Sequence, residues 1–222
     1  MGCCRLTDIE RHFDSGAAAV ELARYRRRGP LPTTRLLVDA IRSSLDGAQT
    51  LLDIGGGIGA VHHELLDHGV RFATNVDISA ASLAAAAEEA ARRGHAPRLR
   101  LLAGDFVELA PTLDEADVVT LDRVICCYPD VERLVSLSAG KARRLYGAVY
   151  PRDVWWVRLA LAAENLLRWL RASSFRAFLH SPSAIVAALR RDGLEPIVVR
   201  RTLVWEVVVC HRVPDGRDAR RD

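Results

Sequence analysis

The residues Leu51-Leu52-Asp53-Ile54-Gly55-Gly56-Gly57-Ile58-Gly59 carry the most chemical information in this chain. A short apolar strand runs into a bend of glycines, whose backbone, free of Cβ atoms, can take positive φ and lie directly against a ligand. Ala60 to His68 reads as a helix, with Ile58, Val61 and Leu65 on one face and Gly69 as its stop. Strand, glycine loop and helix together form the layout of a nucleotide site. Two further acids stand at telling distances. Asp77, followed by Ile78, closes the next predicted strand 22 residues after Gly55. That is the place of a ribose-binding carboxylate, since both ribose hydroxyls are donors and one carboxylate accepts two. Asp105 ends the third strand in Gly104-Asp105-Phe106, where its carboxylate can accept from the exocyclic amine of adenine while Phe106 covers the ring.

These side chains need a scaffold, and the hydrophobic pattern supplies one. Strands are predicted at Leu51–Ile54, Arg71–Val76, Leu99–Ala103, Asp117–Leu121 and Arg144–Tyr150, alternating with helices and nearly continuous in apolar content. A parallel sheet covered on both faces requires that pattern, so the fold class is α/β, Rossmann-like and doubly wound. Ser79 caps a helix running through Glu88 and Glu89 to Arg93, with Gly94 as its stop. Val154–Arg171 reads as a long amphipathic helix and Pro182–Arg191 as another. The closing runs Glu195–Arg200 and Leu203–Cys210 are too tightly linked for a parallel crossover and are expected to pair antiparallel. Before the sheet, Leu6–Leu45 is helical in pattern, broken at Gly29-Pro30-Leu31-Pro32, with Thr33 or Thr34 as the expected cap of the second helix. The domain expectation is therefore a helical lid or flank over 1–48, a nucleotide-binding domain over 49–213 and a polar, disordered tail over 214–222.

Composition narrows the classes further. The chain has 222 residues, half of them apolar, and a formal charge of +3 carried almost wholly by arginine, Lys141 being the single lysine. So small a charge does not point to nucleic acid, and Arg26-Arg27-Arg28 and the arginines of the tail read as solvated surface. The five cysteines occur as Cys3-Cys4, Cys126-Cys127 and Cys210, which is neither a zinc spacing nor a secreted disulfide framework. A reducing cytoplasm is the expected compartment. The longest apolar segment contains Arg158, Glu164, Asn165 and Arg168, so no membrane span is expected. Nothing in the pattern fixes an oligomeric state.

With these residues in view, the chain resembles a class I S-adenosylmethionine-dependent methyltransferase. The glycine motif of that family, acid-x-Gly-x-Gly-x-Gly, is matched at every fixed position by Asp53-Ile54-Gly55-Gly56-Gly57-Ile58-Gly59. The resemblance covers approximately Thr50 to His211 and implies a seven-stranded sheet whose last strand is antiparallel. It implies S-adenosyl-L-methionine as cofactor: Gly55, Gly56, Gly57 and Gly59 along its methionine moiety, Asp53 toward its ammonium, Asp77 and Ile78 at the ribose, and Asp105 and Phe106 at the adenine. Gly55-x-Gly57-x-x-Ala60 also satisfies a dinucleotide fingerprint, and NAD-linked oxidoreduction stays open beside it. A pyrophosphate next to Asp53 would meet a like charge, however, whereas a sulfonium would be attracted. A non-catalytic binding module of the same fold is the remaining alternative.

Methyl transfer is an in-line displacement that asks mainly for alignment and exclusion of water, and needs no metal. The loop after the fourth strand, Asp122-Arg123-Val124-Ile125-Cys126-Cys127-Tyr128-Pro129-Asp130, is expected beside the methyl group. Asp122 is expected to contact the cofactor there, and Tyr128 to act as the catalytic residue, shaping the pocket or orienting an oxygen. That loop lacks the Asn/Asp-Pro-Pro-Tyr signature of many protein and nucleic-acid methyltransferases, so the expected partner is a small apolar or aromatic acceptor methylated at oxygen or carbon. His12-Phe13-Asp14, Tyr25-Arg26-Arg27-Arg28 and Tyr128-Pro129 are more loosely similar to the magnesium-protoporphyrin O-methyltransferase branch, which esterifies a propionate; Cys126-Cys127 departs from it. Trp155, Trp156 and Trp169, with Leu159, Leu166 and Leu170, read either as helix packing or as the wall of a pocket for a flat acceptor. His62 and His63 read as surface or packing residues, and His180 as a loop histidine within reach of the acceptor.

Overall fold

A computed structural model describes residues 14–214 apart from Asp46, Ala172 and Ser174. The strands predicted between Leu51 and Cys210 condense into one seven-stranded sheet because most of their residues are apolar on both faces and need cover above and below. The strands are β1 (Thr50–Ile54), β2 (Phe72–Asp77), β3 (Leu99–Ala103), β4 (Ala116–Asp122), β5 (Ala142–Pro151), β6 (Leu194–Arg201) and β7 (Trp205–Arg212), in the order β3-β2-β1-β4-β5-β7-β6. β1 to β5 pair in parallel, and β7 runs antiparallel to both β5 and β6. The chain order reverses between β1 and β4, which opens a crevice at their carboxyl ends, where such sheets place ligands.

Alternate residues of the central strands feed two cores. Val119 and Leu121 of β4 join Tyr146, Tyr150 and Leu189 on one face, while Val118 joins Leu51, Leu65, Val149 and Val207 on the other. The first face is covered by α6 (Val131–Lys141) and α8 (Pro182–Arg191), and the second by α2 (Pro32–Arg42) and α3 (Ala60–Asp67). Each fully buried leucine or isoleucine in these layers contributes roughly 1.5–3 kcal/mol. Gly147 of β5 is a close-approach position: a Cβ there would stand 2.7 Å from Leu37 Cδ1, so its lack of a side chain lets α2 lie down on the sheet.

Local signals mostly act as the sequence predicts. α4 (Ala80–Arg93) is capped by Ser79, which accepts from the Ser82 amide at 3.0 Å, and ends at Gly94 in the left-handed region. α1 (Ser15–Arg28) begins at Asp14, whose carboxylate accepts from the Ala17 amide at 2.9 Å; the expected start at Leu6 and the His12-Phe13 part of the branch motif lie outside the described residues. The cap of α2 is a correction. The helix starts at Pro32 with Leu31 before it and no side-chain cap, because proline is preset for the first turn, where its missing N–H costs nothing. Neither Thr33 nor Thr34 caps it, and Thr34 is free for another partner. The expected tail lies outside the described residues beyond Pro214, as does Cys3-Cys4. Among the described residues no helix is long and apolar enough to cross a membrane.

The long helix α7 (Trp155–Leu170) is unusual in that Val157 alone is buried. Trp155, Leu159, Leu166, Trp169 and Leu170 are all more than half exposed. They form its outer face.

Candidate active site

At the carboxyl end of β1 the chain turns through its glycines, and the turn is fixed from below. A Cβ on Gly56 would overlap Asp53 Oδ2 and stand 2.7 Å from Asn75 Oδ1, so only glycine fits there. Gly57, at φ 55, has open space where a side chain would be; its N–H donates to Asp77 Oδ2 at 2.8 Å and its carbonyl accepts from Asn75 Nδ2 at 3.2 Å. The loop backbone is thus pinned by side chains of β1 and β2 and bare on the opposite side.

That bare side borders a cavity of about 490 Å³, within the usual range for small-molecule sites. Gly55, Gly56 and Gly57 line it, as do Asp77 and Ile78 at the tip of β2. Asp105 and Phe106 after β3, and Asp122 and Tyr128 after β4, complete the part of the wall that the sequence pointed to.

Two expected site residues do not line it. Gly59 lies at the start of α3, backed by His62 and His63. Asp53 is a correction to the expectation of a carboxylate facing the ammonium. It is fully buried beneath the loop, accepting from Thr120 Oγ1 at 2.8 Å and meeting His62 Nδ1 at 3.0 Å. Its oxygens are spent inside the fold, since a buried carboxylate must be hydrogen-bonded on both sides. Asp53 supports the loop. His62 and His63, expected at the surface or in packing, are both fully buried, which settles them as packing residues.

The carboxylates that do border the cavity are partly desolvated. Asp77 accepts from the amides of Gly57 at 2.8 Å and Ser79 at 2.7 Å; burial nevertheless raises its pKa above the usual carboxylate value, against those two bonds. Asp122 is likewise raised by burial, opposed by Arg123 and by the hydroxyl of Thr34, which donates to its Oδ2 at 2.5 Å. Its Oδ1 lies 3.4 Å from Arg123 Nε, an ion pair without a hydrogen bond. Arg123 is itself in the left-handed region at φ 63, the one described non-glycine there, a strained conformation of the kind that gathers at functional sites.

Asp105 accepts from the Val107 amide at 2.9 Å, which starts the short helix α5 (Phe106–Leu109), and from the Tyr128 hydroxyl at 2.9 Å. This bond relocates Tyr128. Its hydroxyl is directed to the carboxylate expected at the adenine, and burial followed by that bond raises its pKa. His180 is also displaced from its expected role: Nε2 meets the Tyr128 carbonyl at 3.0 Å, and the ring does not line the cavity.

The opposite wall comes from the long helix and the N-terminal flank, largely through residues that the sequence did not single out. α1 contributes Glu21, and α7 contributes Trp156, Val157, Leu161, Glu164 and Arg168. Phe175, just beyond α7, is buried there with the Arg168 guanidinium 4.8 Å from its ring centre. The spacing 157, 161, 164, 168 is itself a helical stripe and was the available signal. Of the tryptophans expected to form that wall, Trp156 does, donating Nε1–H to the Leu203 carbonyl at 3.1 Å, whereas Trp155 and Trp169 turn outward. Five carboxylates and two guanidinium groups line the cavity, with no histidine or lysine. Such an excess of negative charge suits a cationic ligand, and the bare glycine backbone, the carboxylates and the volume together fit S-adenosylmethionine.

Comparison with known proteins agrees with this geometry. Residues 52–139 match the family model described as a methyltransferase domain. The fold is similar to magnesium protoporphyrin IX methyltransferase from Synechocystis PCC 6803 with bound S-adenosylhomocysteine, at 18% identity and a TM-score of 0.71, covering 94% of this chain and 100% of that one. It is similar to the mitomycin 7-O-methyltransferase, at 24% identity and a TM-score of 0.66, covering 95% of this chain and 61% of that one. A third similar structure is geranyl diphosphate C-methyltransferase from Streptomyces coelicolor A3(2), at 14% identity and a TM-score of 0.63, covering 81% and 75%. No curated protein matches the chain in sequence.

Proposed function

We propose that this chain, whose residues 52–139 match a methyltransferase domain, uses S-adenosylmethionine to methylate the oxygen or carbon of a small apolar or aromatic acceptor. One observation carries this reading: the pinned glycine loop with Asp77 and the apolar stripe of α7 face each other across a single cavity. In this reading residues 49–213 bind the nucleotide and, of the flank over 1–48, α1 covers it through Glu21, in a reducing cytoplasm.

When bound, S-adenosylmethionine supplies an activated methyl group on a sulfonium. The protein's part is to hold, align and dry the reactants. Gly55, Gly56 and Gly57 offer bare backbone to the methionine moiety, while Asp77 and Ile78 take the ribose. Asp105, steadied by Tyr128, and Phe106 take the adenine. Asp122, tied to Thr34, keeps negative charge near the sulfonium, which Coulomb attraction favours in a partly desolvated wall. Trp156, Val157, Leu161 and Phe175 present apolar surface to the acceptor and exclude water, so that the two reactants meet at near-attack distance. Tyr128 serves as a positioning residue in this scheme.

The test uses the full chain with methyl-labelled S-adenosylmethionine and a panel of flat phenols, carboxylic acids and active-methylene compounds. The expected result is S-adenosylhomocysteine and labelled acceptor in equal amounts. In calorimetry Asp77→Ala should weaken S-adenosylhomocysteine by ~1.5–3 kcal/mol, the range for a lost hydrogen bond to a charged group. Firm cofactor binding with no labelled product across the panel would favour a non-catalytic module, and NADH binding in place of S-adenosylhomocysteine would favour oxidoreduction.

A further inference from the structure

Two adjacent cysteines in the cavity wall have no part in methyl transfer as derived above. Cys126 and Cys127 end the short turn Ile125–Cys127 between β4 and α6, and both line the cavity. Successive side chains usually diverge, yet these sulfurs lie 3.9 Å apart and both approach the carbonyl of Arg123, at 3.4 and 3.7 Å. The turn is held at both ends: Arg123 enters it at φ 63, and the Cys126 carbonyl accepts from the Phe178 amide at 2.7 Å.

Geometry separates the chemistries open to this pair. An unstrained disulfide wants Cα atoms roughly 4.4–6.8 Å apart, and successive residues offer only about 3.8 Å. A resident structural metal wants three or four protein ligands, and no group of three or more His, Cys, Asp or Glu able to hold an ion occurs among the described residues. A single soft atom bound by both sulfurs is different. Two thiolates on one atom at about 2.3 Å each stand no more than roughly 3.8 Å apart at tetrahedral angles, and the pyramidal bonds of trivalent arsenic draw them somewhat nearer than the 3.9 Å present. The thiols are also differentiated: the hydrogen bond shared with Cys126 holds Cys127 below its ordinary pKa, helped by Arg168 and Arg123 against burial, while Cys126 is pushed up.

We propose that Cys126 and Cys127 form a two-thiol site, opening on the cavity, for trivalent organoarsenicals and the thiophilic class they represent. In the binding step, an arsonous acid R–As(OH)₂ exchanges two As–O bonds for two As–S bonds. The two hydroxyl groups leave as water with the two thiol protons. Arsenic keeps its oxidation state, so no oxidant or reductant is required. The organic group then occupies the acceptor side of the cavity, and the glycine loop and Asp77 remain free.

Phenylarsine oxide is the probe, applied to the full chain with Cys3→Ser and Cys4→Ser to remove the other adjacent pair. Intact-mass measurement should show one phenylarsenic per chain and thiol titration the loss of two thiols. The adduct should be released by 2,3-dimercaptopropanol and survive 2-mercaptoethanol at equal concentration. Cys127→Ser should weaken it at least tenfold and Cys210→Ser should not, with S-adenosylhomocysteine affinity unchanged within twofold in both, which also reports that they are folded. Loss of a single thiol per arsenic, full affinity in Cys127→Ser, or no adduct on a chain that binds S-adenosylhomocysteine would each overturn the proposal. The thiol count on the chain with its cavity cysteines intact decides the matter even if a substitution unfolds.

Discussion

Thr34 Oγ1 donates to Asp122 Oδ2 over 2.5 Å, a hydrogen bond between α2 and the tip of β4 across 88 positions of sequence. It supplies Asp122 with a donor that burial would otherwise deny it. Thr34→Val removes the hydroxyl and keeps the shape, leaving a desolvated acceptor at a cost of about 1–3 kcal/mol. In a chain of this length that is a fall in Tm of roughly 2–4 °C per kcal/mol. Scanning calorimetry should register the fall and Thr34→Ser should reverse most of it. An unchanged Tm in the valine variant would mean that the bond contributes nothing.

Tyr128 donates to Asp105 at 2.9 Å, so its hydroxyl should matter to nucleotide binding and not to the chemical step. Tyr128→Phe is expected to weaken S-adenosylhomocysteine by about 1.5–3 kcal/mol, as for a hydrogen bond to a charged partner. At saturating cofactor, kcat should stay within a few-fold of the parent. A collapse of kcat with intact cofactor affinity would restore Tyr128 to the acceptor.

The two faces of α7 should respond oppositely. Leu166 is 56% exposed on the outer face, whereas Leu161 lines the cavity. Leu166→Glu should change stability by no more than about 0.5 kcal/mol, as surface substitutions do, and leave turnover intact. Leu161→Glu puts a charge into the apolar wall. It should remove methyl transfer to the acceptor identified by the screen while S-adenosylhomocysteine still binds in calorimetry. Equal behaviour of the two variants would contradict the assignment of the faces.

His63 gives an acid limb to the stability curve. It is buried with Nδ1 3.1 Å from His95 Nδ1, and burial, followed by the neighbouring His62 and His95, lowers its pKa to about 2. The folded protein therefore keeps this ring neutral where the unfolded chain protonates it, near pH 6.5. Stability is whole above that pH and falls by about 1.4 kcal/mol per pH unit for this proton as pH drops below it, toward the folded value. Denaturant unfolding at pH 7, 6 and 5 should show His63→Asn losing stability less steeply, by one proton's worth of slope. Identical slopes would mean that His63 is not the group taking up the proton.

The sheet was legible because parallel strands covered on both faces must be largely apolar, and β1 and β4 are. The glycine loop, Asp77 and Asp105 were legible because strand ends in such a sheet converge whatever the loops do. The inward turn of Asp53 was hidden, since one of the partners that turn it, Thr120, stands 67 residues away. Thr34 was misread as a cap for a related reason: Pro32 starts the helix one step earlier and leaves the hydroxyl for a partner that local pattern does not reveal. In α7 the signal was present twice. Apolar residues stand on both faces of the helix, and the inner stripe is broken by Glu164 and Arg168, so periodicity alone marked the outer stripe of Trp155, Leu159, Leu166 and Trp169 more readily than the inner one.

Gly147, beneath Leu37 and Ile41, decides which of the leading helices behaves as scaffold. With no side chain to hold it away, α2 is seated on β5 and shares the central packing, whereas α1, joined to it through Gly29-Pro30, rests on α4 partly through the Arg26 and Glu89 ion pair. A boundary drawn at residue 48 would cut through load that the first strand helps to carry, and a fragment begun there would expose the underside of β5 rather than simply uncover a binding site.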